Sequence, residues 1–168
     1  MAKIIGINHL GFVVKNLDGV IRSAEENLGG ELIIKFESTT QKYKGALIKL
    51  GQSLISYLEA TDESSFVAEF IEKRGEGIQH IGLEVDNLEE FVGELEAKGV
   101  KLDKGSMKNE NFQEALVGPR VGCGVVLQLI QWEGGPMDVS PGGQERMRQK
   151  YCEVPGLRLI EDEKQSGA

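Results

Sequence analysis

The sequence predicts an α+β fold made of two copies of one module, each a strand, a helix and three further strands (βαβββ), paired around a shared pocket. Three observations predict it. First, Ile7–Asp18 (INHLGFVVKNLD) written over Ile78–Glu89 (IQHIGLEVDNLE) gives six identities in twelve positions at an offset of 71, where unrelated segments of average composition would share about one. Second, an amphipathic helix pattern follows both copies at the same point. Third, the only two histidines of the chain, His9 and His80, occupy the same place in the two copies.

The elements follow in order. The opening run MAKIIGINHLGFVV carries one lysine and no small-residue cleavage site ahead of its apolar stretch, so it reads as a first strand and not as a signal peptide. Leu17, Val20, Ile21, Ala24 and Leu28 then recur at helical spacing, and Gly29-Gly30 stops the helix. Strand-like runs follow at Glu31–Glu37, Lys44–Leu50 and Ser53–Ala60. A connector over 61–77 contains a short helix over Ser64–Arg74. In the second copy Leu88, Phe91, Val92 and Leu95 repeat the helical spacing, with Asn87 and Glu90 as a cap pair and Gly99 as the stop. Shorter strands are expected at Val100–Leu102, Phe112–Val117 and Val125–Trp132. A helix covers one face of each small sheet, so the other face needs a partner. The two modules are expected to bury those faces against each other. The chain then reads as one domain over 1–132, with repeats at 5–60 and 78–132, and a C-terminal extension over 133–168. That extension is turn-rich, with a short helix over Glu145–Cys152 and a polar tail.

Composition excludes several classes. A net charge of −8 with scattered basic residues argues against nucleic acid, whose phosphates require clustered Lys and Arg. No apolar run approaches the ~18 residues of a membrane span. Cys123 and Cys152 lack a CxxC spacing, so neither a disulfide framework nor a thiolate zinc site is indicated, and a reducing, cytoplasmic setting is expected. The expected partner is a small molecule, anionic ones included, because a pocket's field can differ in sign from that of the whole protein.

Alternation along a strand puts Ile7, His9, Gly11 and Val13 on one face, and Ile78, His80 and Gly82 on the equivalent face of the second copy. The opposite, continuously apolar face packs on the helix, so the histidines look toward the shared pocket. Each has a glycine beside it that leaves space for a ligand or metal. Two histidines alone do not make a metal site, since zinc takes four ligands, or three and water.

The runs INHLGFVVKNLD, FVAEFIEKRGEGIQHIGLEVDNLEE and GCGVVLQLIQ resemble the vicinal oxygen chelate (glyoxalase/bleomycin resistance/dioxygenase) superfamily, and within it the methylmalonyl-CoA epimerase family, over roughly residues 5 to 132. The resemblance implies a cupped, glyoxalase-like pseudo-barrel around a divalent metal such as zinc, cobalt or nickel. Its ligands would come from the first and fourth strands of both modules. His9 and His80 match the first-strand positions, Ser56 falls at the fourth-strand position of the first module and Gln128 at that of the second. These last two depart from the family, which has an acid or amide at the first position and Glu at the second. A hydroxyl is a weak ligand and an amide brings no charge, so metal is expected to bind less tightly. Glutamine, moreover, cannot carry a proton. The catalytic residue is left unknown, with Glu37, Glu59, Glu110 and Glu114 as candidate replacements. Lys42, Lys44 and Arg120 either meet CoA phosphates or are ordinary surface charge.

The resemblance implies a metal-dependent epimerase or isomerase of a small 2-substituted acyl-CoA, working through enolate stabilisation. The alternatives are a lactoylglutathione lyase, which also needs an acid at the Gln128 position, and a non-catalytic small-molecule binding protein of the same fold. An extradiol dioxygenase lacks its carboxylate ligand. A homodimer is left open.

Overall fold

The fold is that of a computed structural model, described here for residues 1–104, 112–135 and 137–160. Among the described residues nine strands form one curved, unclosed sheet: β1 (Ile4–Val13), β2 (Glu31–Ser38), β3 (Tyr43–Leu50), β4 (Ser53–Ala60), β5 (Gly77–Val85), β6 (Leu102–Asp103), β7 (Phe112–Val117), β8 (Val126–Trp132) and β9 (Leu157–Leu159). Their order, β6-β7-β8-β5-β1-β4-β3-β2-β9, is the repeat made visible. Each module lays its fourth strand parallel to its first, β4 on β1 and β8 on β5.

The two modules do not pack face to face as the sequence suggested. They join edge to edge, β1 antiparallel to β5, because the first strands of the modules carry free backbone donors and acceptors that must be paired. The result is a single cup whose concave face both copies share.

Helices α1 (Leu17–Leu28) and α3 (Leu88–Ala97) cover the convex face, one per module. Under α1 lie Leu17, Ile21 and Ala24 with Ala46 and Ile48; under α3 lie Leu88 and Val92 with Ala115, Val117 and Leu129. Both helices are capped alike. Asn16 accepts from the amide of Gly19 and Asn87 from that of Glu90. One residue on, the fourth strand of each module supplies a second acceptor: Glu59 Oε2 takes the Leu17 amide at 2.5 Å, and Gln131 Oε1 the Leu88 amide at 2.7 Å. These side chains satisfy amides that a helix start leaves unpaired. Gly29 ends α1 in the left-handed conformation (φ 65°) that glycine adopts without strain. Helix α2 (Phe66–Arg74) begins after the Ser65 cap and bridges the modules.

The third and largest apolar cluster lies on the concave side, and the C-terminal extension completes it. Helix α4 spans Pro141–Glu153, starting four residues before the helix read from periodicity, because Ser140 caps it and Pro141 occupies its first turn. Met147 and Met137 are buried against Phe36, Ile130 and Trp132. Strand β9 then adds to the free edge of β2, pairing Phe36 with Leu159 and Ser38 with Leu157. The extension therefore roofs the cup. The polar tail lies outside the described residues.

Candidate functional site

Between the concave sheet and the roof is a cavity of about 740 Å³, bordered by His9, Ser56, His80 and Gln128 together. All four positions that the resemblance implied as metal ligands thus line one cavity. The geometry comes from the seam between modules. Gly82 stands opposite His9 in the ladder, and Gly11 opposite His80. Each imidazole leans across onto the other module's glycine. A Cβ on Gly11 would sit 2.0 Å from Cε1 of His80, and one on Gly82 would sit 2.6 Å from Cε1 of His9, closer than any side chain permits. The sheet continues the pattern outward, with Gly82 beside Gln128 on β8 and Gly11 beside Ser56 on β4.

Strict alternation did not anticipate one feature. The β1–β5 register slips between Ile7 and His9, and again between Gly11 and Phe12 where Gln79 is passed over. A one-residue slip exchanges the faces of a strand. Ile7 and Ile78 are therefore exposed, while Asn8 and Gln79 border the cavity beside their histidines. Asn8 Oδ1 lies 2.8 Å from His9 Nδ1, and Gln79 Oε1 lies 2.6 Å from His80 Nδ1. An amide oxygen can only accept, so each Nδ1 carries the proton and each Nε2 is left with a bare lone pair. The orientation of Asn8 is itself fixed, because its Nδ2 donates to Glu84 Oε2 at 2.9 Å. Glu84, Asn8 and His9 thus form a chain ending at a metal-ready nitrogen, the arrangement that orients ligating histidines generally. Asn8, Gln79 and Glu84 were not singled out from sequence. The first two precede the histidines at equivalent repeat positions, and Glu84 shares the alternation of His80 and Gly82, so the signal was present.

The two Nε2 atoms are 3.1 Å apart. Two facing lone pairs repel unless a cation lies near both. Two nitrogens held on one ion at about 2.0–2.1 Å stand roughly 3.0–3.4 Å apart, so the pair fits a shared divalent metal. Gln128 supplies a further donor. Its Nε2 donates to Glu114 Oε2 at 2.5 Å, which turns Oε1 the other way, and that oxygen is buried without a partner. Among the described residues no three His, Cys, Asp or Glu side chains converge, so a metal held here would have to rely on two imidazoles, an amide and the buried Ser56 hydroxyl. That set is neutral, with a carboxylate one hydrogen bond behind it at Glu114 and another two hydrogen bonds behind it at Glu84.

Burial, then the neighbouring His80, pushes His9 down to about 3; burial alone pushes His80 down to about 4. Both values lie below that of an ordinary imidazole. The unfolded chain therefore takes up protons first as pH falls. Stability from the neutral rings is present above about pH 6.5 and is lost down to the folded values, at up to about 1.4 kcal/mol per pH unit for each ring. We expect the denaturation midpoint of chelator-treated protein to fall steeply between pH 6.5 and 4.5. Replacing both histidines by Gln should flatten that dependence, and an unchanged slope would contradict it.

The remaining sequence candidates separate cleanly. Glu114 borders the cavity. Glu59 caps α1 and pairs with Lys44 on the convex side, and Glu37 binds Arg158 at the sheet edge. Glu110 lies outside the described residues. Lys42 engages Asp62 and Ser64, and Arg120 sits exposed in a turn; neither these nor Lys44 borders the cavity. No helix of the described residues is long and apolar enough to cross a membrane.

A paired-module cup with histidines at its seam defines a protein class, and comparison with known proteins agrees. The model of the Glyoxalase/Bleomycin resistance protein/Dioxygenase superfamily matches residues 8–115, and the chain belongs to that superfamily. It is similar to methylmalonyl-CoA epimerase from Mycobacterium tuberculosis, with 28% identity, 76% of this chain and 87% of that chain covered, and a TM-score of 0.68. It shares the fold of Streptomyces coelicolor methylmalonyl-CoA epimerase in complex with 2-nitronate-propionyl-CoA, at 22% identity, 79% and 100% coverage and a TM-score of 0.70. YqjC of Bacillus subtilis (strain 168) is 28% identical over 131 residues, which span 76% of this chain and 93% of that protein.

Proposed function

We propose that the chain is a metal-dependent isomerase of a small 2-substituted acyl thioester, an epimerase acting on an acyl-CoA. His9, His80 and Gln128 would hold a divalent ion, with Ser56 as a weaker fourth donor. The observation that carries this reading is the pair of Nε2 lone pairs at 3.1 Å, each fixed by an amide on its Nδ1. When bound, such an ion supplies Lewis-acid stabilisation of the negative charge that develops on substrate oxygens as the α proton leaves. The superfamily and the epimerase neighbours support the reaction class.

Gln128 cannot move a proton. Of the described acids considered from sequence, Glu114 alone borders the cavity, so in this reading its carboxylate accepts the α proton while Gln128 holds it in place. Methylmalonyl-CoA in deuterated buffer tests this. Metal-loaded protein should place label at the α carbon, and Glu114→Gln should slow exchange by about 10²–10⁴. Absence of label with metal bound would defeat the epimerase reading for methylmalonyl-CoA.

Restoring the family's acid makes a sharper prediction. Gln128→Glu alone sets a second carboxylate against Glu114 at hydrogen-bond distance, and the two must share one proton. The single substitution should therefore leave metal affinity no better than before. Combining it with Glu114→Gln keeps the hydrogen bond with its polarity reversed and puts a charged donor on the metal side. The double variant should bind zinc more tightly than wild type, as read by competition with a chromophoric chelator. If the single substitution alone tightens binding, the Glu114 contact is not what governs residue 128.

A further inference from the structure

A proton returned to the face it left restores the starting configuration. Inversion at an α carbon therefore needs a proton carrier on each side of the substrate. With Glu114 of β7 on one side, the other carrier has to come from elsewhere in the cavity wall. Glu114 pairs with Ile130, two residues past Gln128; the equivalent point of the first module, paired with Leu58 two residues past Ser56, is Gly45. The first module thus has no acid to set against Glu114. A Cβ on Gly45 would lie 2.6 Å from Phe36 Cζ. An aromatic ring fills that place, and Tyr151 of the roof packs on this ring at 5.1 Å between centroids.

The roof is the wall that faces the sheet. Of the described roof residues that border the cavity, only Tyr151 and Glu153 carry a side chain that can give or take a proton. Glu153 is exposed, with Lys150 Nζ 3.8 Å from its carboxylate. Tyr151 is held on two sides, by Phe36 and by the stacked ring of Trp132 at 5.9 Å. Its hydroxyl makes no hydrogen bond among the described residues and, unlike Trp132 Nε1, is not sealed from solvent. Burial and then Tyr43 and Glu114 push that phenol above its ordinary value, which keeps its proton on at neutral pH. Tyr43 and Glu114 both border the cavity, so the hydroxyl lies on the ring's cavity side. Tyr43, the other phenol of the cavity wall, is already engaged by Ser38. We propose that Tyr151 is the second proton carrier, protonating the α carbon from the roof side after Glu114 has taken the proton on the sheet side. This rests on the isomerase reading and completes it. The α C–H bond breaks and its electron pair passes into the enolate. That pair then takes the Tyr151 proton to form the new C–H bond and leaves a phenolate. Water restores the phenol and removes the proton from Glu114, so no other reactant is consumed. Tyr151 lies beyond the stretch matched by the superfamily model, which makes the carrier a contribution of this chain's extension.

The probes are the two separate epimers of methylmalonyl-CoA, with zinc-loaded full-length protein in deuterated buffer. NMR reads label at the α carbon, and resolution of the epimers reads inversion. Wild type should label and invert both. Tyr151→Phe keeps the ring and removes the proton. It should still label the epimer whose α proton meets Glu114, with retention, while inversion falls by about 10²–10⁴. The ratio of exchange to inversion then rises by about the same factor. Loss of a mere wall contact would lower both rates together and leave that ratio alone. Tyr43→Phe and Glu153→Gln should keep the wild-type ratio. An unchanged ratio in Tyr151→Phe, or a raised one in Tyr43→Phe or Glu153→Gln, would overturn the assignment. Wild type that labels without inverting would also overturn it and would keep proton abstraction by Glu114. Wild type that neither labels nor inverts, with zinc bound, would instead defeat the epimerase reading for this probe, and the assignment with it.

Discussion

Replacing His80 by alanine is expected to abolish divalent-metal binding at micromolar concentrations while leaving the fold in place. The proposed donor set is neutral and contains only two nitrogens. Loss of one leaves an imidazole, an amide and a hydroxyl, a set with little hold on zinc, cobalt or nickel. Removing outer partners of ligating histidines already lowers affinity about 10–100-fold, and removing the ligand itself should exceed that. The ring lies over Gly11 at the edge of a cavity, so its loss empties space that is already open. It also relieves two facing lone pairs. Stability without metal should change by no more than about 1 kcal/mol. Cobalt titration followed by absorbance, together with circular dichroism, separates the two effects. Undiminished cobalt affinity in a folded variant would remove His80 from the site.

Met147→Ala is the second large effect, and it concerns the roof. Met147 is 1% exposed and packs within the concave core. Truncating a buried methionine costs about 2–5 kcal/mol. Because Met147 borders a cavity that already exists, the transfer contribution dominates and the lower half of that range applies. For a chain of this size about 2–3 kcal/mol lowers Tm by about 4–12 °C. Were the extension an independent appendage, the substitution would leave the main transition untouched. A thermal scan distinguishes the two, since a roof that is part of one core melts with it.

Much of this architecture was legible in the residues. The Ile7–Asp18 repeat at Ile78–Glu89 announced two modules, and their shared caps at Asn16 and Asn87 confirm that the equivalence reaches single side chains. The glycines beside the histidines were readable as space, and each makes room for an imidazole. What strand periodicity misplaced was the neighbourhood of the histidines. A ladder slip at Asn8 and at Gln79 depends on how β1 meets β5, a tertiary pairing that alternation within one strand does not encode. For the same reason the joining of modules edge to edge was not foreseen, since amphipathic faces advertise burial but not which edge pairs. The roof was hidden differently. Residues 133–160 carry no counterpart in the repeat, and a weakly amphipathic segment such as α4 shows its buried side only once the cup beneath it exists. Glu59 was weighed as a replacement acid for the site; Gln131 at the equivalent place in the other module shows that the position serves to cap a helix.

Direct measurement of metal in the wild-type chain tests the central claim most simply. Protein purified without chelator, dialysed at pH 7.5 against excess zinc and then against buffer, should retain about one zinc ion per chain by elemental analysis and release it to a chelator. Protein that retains none, with His9 and His80 both neutral and facing each other, would contradict the account.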